Sequence, residues 1–235
     1  MQPLAPDEVH LWWMSLAEPV WPEAELAALL DSEELERAAR FRFDVHRRRF
    51  VRAHGLLRRL LGAYTGVAPE SLRFATEERG KPRLIGAARD LALSFNFSHA
   101  EDVALLGVGG GAALGVDIEV KRDVPELDAI SRSHFSRSEV CALYGLPPER
   151  REEGFFAAWT RKEAYVKALG GGLSVPLDSF EVSLHPDEPA ELRTIDGSTG
   201  QARAWTLWAG RPASDSWAAV AIRVTGARVT TFSLS

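Results

Sequence analysis

The pattern of apolar and polar positions first divides the chain into helical and extended stretches. After Pro22, three leucines recur at helical spacing, namely Leu26, Leu29 and Leu30. A longer apolar stripe with the same spacing runs through residues 50–64 and ends near Gly66, a residue type that commonly follows a helix. The pattern therefore predicts a largely helical N-terminal region.

Seven shorter apolar or alternating runs predict strands on either side of a second helical block. Three of them come before that block, at residues 91–97, 103–108 and 114–120. The block covers residues 126–169, with an interruption at residues 145–148 and a stop at residues 170–172. The other four runs follow it, at residues 180–184, 203–209, 217–224 and 228–232.

The order of helix, strands, helix and strands predicts an α+β fold built from two successive halves. A glycine run at residues 109–111 marks the boundary. We therefore expect an N-terminal half at residues 1–112 and a C-terminal half at residues 113–235. The strands beyond Glu188 are expected to complete the second half.

The composition is that of a folded chain, with 46% hydrophobic and 26% charged residues among 235. The first thirty residues lack the basic start and apolar run of a secretion signal, and no segment approaches the ~18 apolar residues that span a bilayer. We therefore expect a cytoplasmic protein without a membrane partner. The single cysteine, Cys141, excludes an internal disulfide and is expected to pack in the interior.

Charge is distributed unevenly along the chain. The formal net charge of −5 argues against nucleic acid as the main partner, but residues 37–59 contain nine arginines and one acid, Asp44. Such a segment suits an anionic ligand or an acidic partner, and it is equally typical of a solvated helix surface. The arginines are Arg37, Arg40, Arg42, Arg47, Arg48, Arg49, Arg52, Arg58 and Arg59.

A pair of carboxylates lies in the predicted strand at residues 114–120. Asp117 and Glu119 are two residues apart, so both project from one face of the strand, while Val116 and Ile118 project from the other. Carboxylate oxygens suit Mg²⁺, and Mn²⁺ accepts the same ligands. The alternative is a half-buried strand whose polar face meets water.

A second acidic candidate lies in the predicted helix that ends near residue 169. Glu163 and Lys167 are four residues apart, which places both on one helix face at the edge of the apolar stripe. They form either a surface pair worth about 0.3–0.5 kcal/mol or a third metal ligand beside a lysine that opposes phosphate charge.

Three further segments have local explanations of their own. Gly80-Lys81-Pro82 is a turn signature that presents one lysine, and Phe95-Asn96-Phe97-Ser98-His99 ends a strand with a hydroxyl and an imidazole. A lone histidine at a strand end is more often structural than a ligand. Ser136 and Glu139 match a helix capping box.

Taken in order, these segments resemble the 4′-phosphopantetheinyl transferase superfamily, in particular the long, monomeric type that activates nonribosomal peptide and polyketide synthetases. The resemblance covers about residues 30–185. It runs through Arg48-Arg49-Phe50, Gly80-Lys81-Pro82, Phe95 to His99, Gly115-Val116-Asp117-Ile118-Glu119, Trp159 to Lys167, and Gly172-Leu173-Ser174.

The resemblance implies a fold, a reaction and partners. The expected fold is a pseudo-twofold pair of similar α+β halves with coenzyme A in the cleft between them. The expected reaction moves phosphopantetheine from coenzyme A to a serine of an apo acyl or peptidyl carrier domain. Two rivals remain at this point: a non-catalytic homologue that docks coenzyme A or carriers, and another Mg²⁺-dependent enzyme that cleaves pyrophosphates.

The resemblance also implies roles for individual residues. Those expected to bind Mg²⁺ are Asp117, Glu119 and Glu163. Glu163 and Lys167 are the expected catalytic residues, with Lys167 also meeting the pyrophosphate. The expected contacts to the adenosine end, including its 3′-phosphate, are Arg37, Arg49, Lys81, Ser98 and His99. Near Arg37, Glu34 occupies a position where some relatives carry a lysine.

Overall fold

The computed structural model describes residues 4–76 and 80–234. In the first half the elements are β1 (Glu8–Ser15), α1 (Glu23–Ala27), α2 (Ser32–Ala39), α3 (Asp44–Thr65), β2 (Arg73–Thr76), β3 (Pro82–Ile85), β4 (Ser94–Ala100) and β5 (Val103–Gly109). In the second half they are β6 (Leu114–Val120), α4 (Leu127–His134), α5 (Arg137–Gly145), α6 (Arg151–Leu169), β7 (Phe180–Val182), β8 (Leu192–Ile195), α7 (Thr199–Ala202), β9 (Thr206–Gly210), β10 (Ser216–Ile222) and β11 (Arg228–Leu234).

The two main sheets are built from strands and helices that follow one another in the same order, as expected for two similar halves. In each half an edge strand leads through helices to one long helix, then to a two-stranded hairpin, and then to two antiparallel strands. The last of these strands inserts in the middle, so β5 lies between β1 and β4, and β10 lies between β6 and β9. The α+β prediction is confirmed, and the repeated connections support two related halves.

The halves pack as four layers in the order helix, sheet, sheet, helix. The inner faces of the two sheets bury one apolar cluster that includes Leu11, Leu105, Val116 and Val220. On the outer face of the first sheet, α3 supplies most of a second cluster, and on the outer face of the second sheet α6 does the same. The large apolar area removed from water stabilises this stack.

The N-terminal region is largely helical between Glu23 and Thr65, as predicted, but it begins with a strand, β1, that the sequence pattern did not predict. The sequence pattern missed this strand since both of its faces are covered. Val9 and Leu11 face the second sheet, whereas Trp12 and Met14 face α3. A strand buried on both faces loses the simple alternation of apolar and polar residues that identifies a half-exposed strand.

The last strand, β11, does not complete the second half as expected. It pairs in parallel with β1 of the first sheet, from Glu8 opposite Arg228 to Met14 opposite Leu234. In the second sheet β10 lies between β6 and β9, and β11 pairs instead with the side of β1 that β5 leaves open. Within the described residues the chain therefore returns to its first half, and the division into halves at residues 1–112 and 113–235 remains a prediction.

Smaller features of the second half differ from the sequence pattern in detail. The helical block divides once more, between α4 and α5, where the Ser136–Glu139 capping box is confirmed. Cys141 is exposed on α5, so the expectation that it packs in the interior is wrong. Among the described residues, no helix is long and apolar enough to cross a membrane.

A glycine sets the spacing between β6 and α6. A Cβ atom on Gly115 would lie 2.2 Å from the carbonyl oxygen of Ala164 and 2.2 Å from the amide nitrogen of Ala168. Only a residue without a side chain permits this contact between the strand and the helix backbone. Gly115 therefore brings the acidic strand close to the helix that carries Glu163 and Lys167.

Candidate active site

The two carboxylates of β6 share one face of the strand, as the sequence predicted. Val116 and Ile118 point into the cluster between the sheets, so Asp117 and Glu119 project towards α6. Asp117 is only 5% exposed. A carboxyl group this deeply buried in a folded protein requires partners.

Asp117 is partnered on one oxygen and unpartnered on the other. Its Oδ1 accepts hydrogen bonds from Lys167 Nζ at 2.5 Å and from Ser98 Oγ at 3.1 Å, and Lys167 also donates to Ser98 Oγ at 3.0 Å. Its Oδ2 is buried and has no hydrogen-bond partner among the described residues. Such an orphaned acceptor is rare in folded proteins and calls for an explanation.

The three acids of the site influence one another electrostatically. Burial raises the pKa of Asp117 to about 6 against the opposing effect of Lys167, and the charges of Glu119 and Glu163 raise it further. Burial also raises the pKa of Glu163, which Lys167 lowers and Glu119 raises. The three carboxylates therefore act on one another, as anions that share one small region do.

The donor set fits Mg²⁺ by its chemistry. Three carboxylates, one of which has an orphaned oxygen, supply hard oxygen ligands of the kind this ion prefers. As the side chains stand, no group of three acidic, histidine or cysteine residues within residues 4–76 and 80–234 converges tightly enough to hold a metal ion. Lys167 takes one oxygen of Asp117, and Arg122 donates to Glu119.

A pocket of about 600 Å³ lies beside α2 and α3. Its charged lining residues and its histidine at β4 are Asp31, Glu33, Glu34, Glu36, Arg37, Arg40 and His99. Lys81 lies in the chain between two other lining residues, Gly80 and Pro82. Burial lowers the pKa of His99, with further contributions from the charges of His54, Lys167, Arg37 and Arg49. The structure therefore brings most of the cationic candidates around one imidazole.

Two expected coenzyme A contacts are engaged within the protein. Lys81 Nζ donates to the carbonyl oxygens of Leu114 at 2.8 Å and Lys167 at 3.1 Å, which links the first half to β6 and α6. Arg49 donates to both oxygens of Asp102, at 2.8 and 2.9 Å. Their roles towards a ligand remain predictions.

Comparison with known proteins matches both halves to one family. The model of the 4′-phosphopantetheinyl transferase superfamily matches residues 113–222, and that of the 4′-phosphopantetheinyl transferase N-terminal region matches residues 18–108. Together the two matches cover most of the chain. The chain belongs to the 4′-phosphopantetheinyl transferase superfamily.

Individual members of the superfamily are similar over most of their length. The 4′-phosphopantetheinyl transferase HetI of Nostoc sp. is 42% identical over 93% of this chain and 89% of its own length. The transferase psf-1 of Bacillus pumilus is 34% identical over 73% of this chain and 71% of its own. The transferase Sfp of Bacillus subtilis is 29% identical over 72% of this chain and 73% of its own.

The arginine-rich segment of this superfamily member is less cationic than its sequence indicates. Arg58 is fully buried and bonded to Asp31 and Glu34. Arg52 pairs with Glu23 and Arg47 with Asp44. Neither of the open interpretations therefore holds for the whole segment, because several of its arginines bind acids within the fold.

Two histidines near the site were not singled out by the sequence pattern. His54 lines the 600 Å³ pocket. His134 lines a second pocket, of about 430 Å³, together with Glu163 and Lys167, and its charge lowers the pKa of Glu163. No local signal marks either residue, because each stands in an ordinary amphipathic helix and reaches the site only through tertiary packing.

Proposed function

We propose that this chain transfers the 4′-phosphopantetheine group of coenzyme A to a serine hydroxyl of an apo acyl or peptidyl carrier protein. The released product is adenosine 3′,5′-bisphosphate. The observation that carries the proposal is the buried Asp117, one oxygen of which has no hydrogen-bond partner among the described residues. The charges of Glu119, Glu163 and Lys167 all act on the pKa of this carboxyl group. Membership of the superfamily supports the same reaction.

The residues proposed to hold Mg²⁺ are Asp117, Glu119 and Glu163. When bound, the ion neutralises part of the pyrophosphate charge and fixes the orientation of the phosphorus that is attacked. The orphaned oxygen of Asp117 supports this assignment, since it has no partner among the described residues.

In the proposed reaction the serine oxygen forms a bond to the phosphorus that carries pantetheine. The bond from that phosphorus to the bridging oxygen breaks, and adenosine 3′,5′-bisphosphate departs with the electron pair. Glu163 accepts the serine proton, a role to which its raised pKa is suited. Lys167 opposes the charge that develops on the departing phosphate.

The 600 Å³ pocket is the proposed site for the adenosine end of coenzyme A. Arg37 and His99 line it, and Ser98 connects it to Asp117 and Lys167 through hydrogen bonds. A continuous path therefore leads from a pocket with cationic groups to the carboxylates. Positioning along such a path accounts for much of the acceleration in transfers at phosphorus.

Intact-protein mass spectrometry tests the proposal directly. The protein is incubated with Mg²⁺, coenzyme A and apo forms of a peptidyl, an acyl and a fatty-acid carrier. We expect the mass of one phosphopantetheine to be added to at least one carrier and EDTA to prevent the addition. No addition to any of the three, by folded protein that binds coenzyme A, would favour a docking protein. Consumption of coenzyme A without a carrier would favour a pyrophosphate-cleaving enzyme.

A further inference from the structure

His54 is held in one orientation on the wall of the 600 Å³ pocket. Its ring stacks on Phe50, with the centroids 4.0 Å apart and the planes at 28°, and it meets the edge of Phe97 at 6.5 Å. Its Nδ1 lies 2.9 Å from Glu34 Oε1. The side chain therefore has little freedom to rotate, and its Nε2 has no hydrogen-bond partner among the described residues.

Glu34 is itself fixed by groups behind the pocket. Its Oε2 accepts hydrogen bonds from Arg58 Nε at 2.6 Å and from the backbone nitrogen of Asp31 at 3.1 Å. Burial would raise the pKa of Glu34, but the hydrogen bonds from His54 and Asp31 and the charge of Arg58 outweigh it and lower the pKa. An ionised Glu34 accepts a hydrogen bond, so His54 Nδ1 carries the hydrogen.

The charges of Arg58 and its partners leave one negative charge beside His54. Arg58 is fully buried and supplies one positive charge, whereas its partners Asp31 and Glu34 supply two negative charges. Glu34 occupies Nδ1, so Nε2 is the polar atom of the ring that remains for a ligand in the pocket. An imidazolium Nε2–H forms a charge-assisted hydrogen bond with a phosphate oxygen.

We propose that His54 binds the 3′-phosphate at the adenosine end of coenzyme A, and that Glu34, held by Arg58, positions His54 for this contact. The inference rests on the proposed function, because it takes coenzyme A as the ligand of the pocket. His54 thereby favours coenzyme A over the otherwise identical dephospho-coenzyme A, and Glu34, which also lines the pocket, supports the phosphate contact through His54.

Isothermal calorimetry with coenzyme A and dephospho-coenzyme A tests the contact. Loss of one charge-assisted hydrogen bond in His54→Gln should weaken coenzyme A about tenfold and leave dephospho-coenzyme A within about twofold. The matched control is His10→Gln, because His10 also pairs with a glutamate, Glu8, and has a similar side-chain exposure of 19% against 22%. His10 does not line the pocket, so neither ligand should be affected.

A double-mutant cycle tests the positioning role. Glu34→Gln should weaken coenzyme A by less than His54→Gln does, and the double variant should be no weaker than His54→Gln alone, because Glu34 acts through His54. His54→Arg, which restores a cationic donor, should recover the preference for coenzyme A. Thermal unfolding of each variant identifies any loss of folding, and His54→Arg decides the question if a glutamine variant fails to fold.

Several outcomes would overturn the inference. Equally weakened binding of both ligands by His54→Gln, or additive losses of affinity in the double variant, would show that His54, Glu34 and Arg58 have only a structural role. Wild-type protein that binds both ligands equally would overturn it while leaving the proposed transfer intact. Wild-type protein that discriminates between the ligands but transfers nothing to any carrier would fail the proposed function, and the affinity ratio of His54→Gln would still decide the role of His54.

Discussion

Two lysines on α6, five residues apart, have contrasting environments. Lys162 is fully buried, and its ammonium reaches Glu139 at 2.8 Å and the carbonyl oxygens of Leu177 and Phe180, each at 2.7 Å. Its three donors therefore have three acceptors. The side chain of Lys167 is 32% exposed and is shared between Asp117 and Ser98, next to the second pocket.

The acids that face these lysines differ in the same way. Both oxygens of Glu139 are satisfied, because Val182 donates to Oε1 and Ser136 to Oε2 through their backbone nitrogens, each at 2.8 Å. Asp117 has one buried oxygen without a partner among the described residues, and its pKa is raised to about 6. A fully satisfied buried pair maintains a fold, whereas an incomplete one is suited to receive a ligand.

The largest expected effect concerns the stability that Lys162 provides. Lys162→Met leaves Glu139 as an uncompensated buried charge, so the free energy of unfolding should fall by about 3–5 kcal/mol. Lys167→Met should lower it by less, because Asp117, whose pKa is already raised to about 6, can take up a proton when the ammonium is lost. Urea denaturation of both variants measures the difference, and equal losses would remove the contrast between the two lysines.

The rate of transfer should depend more on Lys167 than on Lys162, which is the opposite of their order for stability. Lys167→Met and Glu163→Gln should each lower the rate of phosphopantetheine transfer at least about 100-fold, because each removes a charge that we propose to act at the reacting phosphate. The control is Glu152→Gln on the same helix, where Glu152 pairs with the exposed Lys121. Near wild-type transfer by Glu163→Gln at saturating Mg²⁺ would contradict the three-carboxylate site.

A substitution at Gly115 should affect both properties together. In Gly115→Ala the new Cβ would overlap the backbone of α6, so β6 and the helix must separate. We expect a loss of about 1–3 kcal/mol in unfolding free energy and a fall in transfer as Asp117 moves away from Lys167. Gly145→Ala, which has open space around the added atom, is the control. Unchanged transfer in Gly115→Ala would show that the site tolerates this separation.

The smallest expected effect is on the pH dependence of the free energy of unfolding, in which Glu34 and Asp117 should differ. The pKa of Glu34 is lowered in the folded state, so its stabilising contribution is present above its ordinary value of 4.5 and is lost as the pH falls through the folded-state value. Glu34→Gln should therefore be less stable than wild type at pH 6–7, and the difference should shrink below about pH 4.5. Denaturant titrations at several pH values measure it, with the exposed Glu36→Gln as control.

A constant difference between Glu34→Gln and wild type across this range would show that shape, and not charge, explains the role of Glu34. Asp117 provides the contrast, because its pKa is shifted in the opposite direction. Its ionised form is disfavoured by the fold, whereas that of Glu34 is favoured.

The sequence by itself determined the features that depend on local pattern. Period-two and period-3.6 spacing located most of the strands and long helices, and the spacing of Asp117 and Glu119 placed both on one face of β6. The capping box at Ser136 was also readable, because it involves only neighbouring residues. The ordered series of short motifs was enough to indicate the superfamily.

Tertiary structure alone decided the features that depend on distant partners. It covered both faces of β1, paired β11 with β1, and gave the buried Arg58 and Lys162 the acids that neutralise them. A lysine or arginine reads the same in a sequence whether its partner is an acid, a carbonyl oxygen or a ligand. Which of these it meets is set by residues many positions away, through packing that local spacing does not encode.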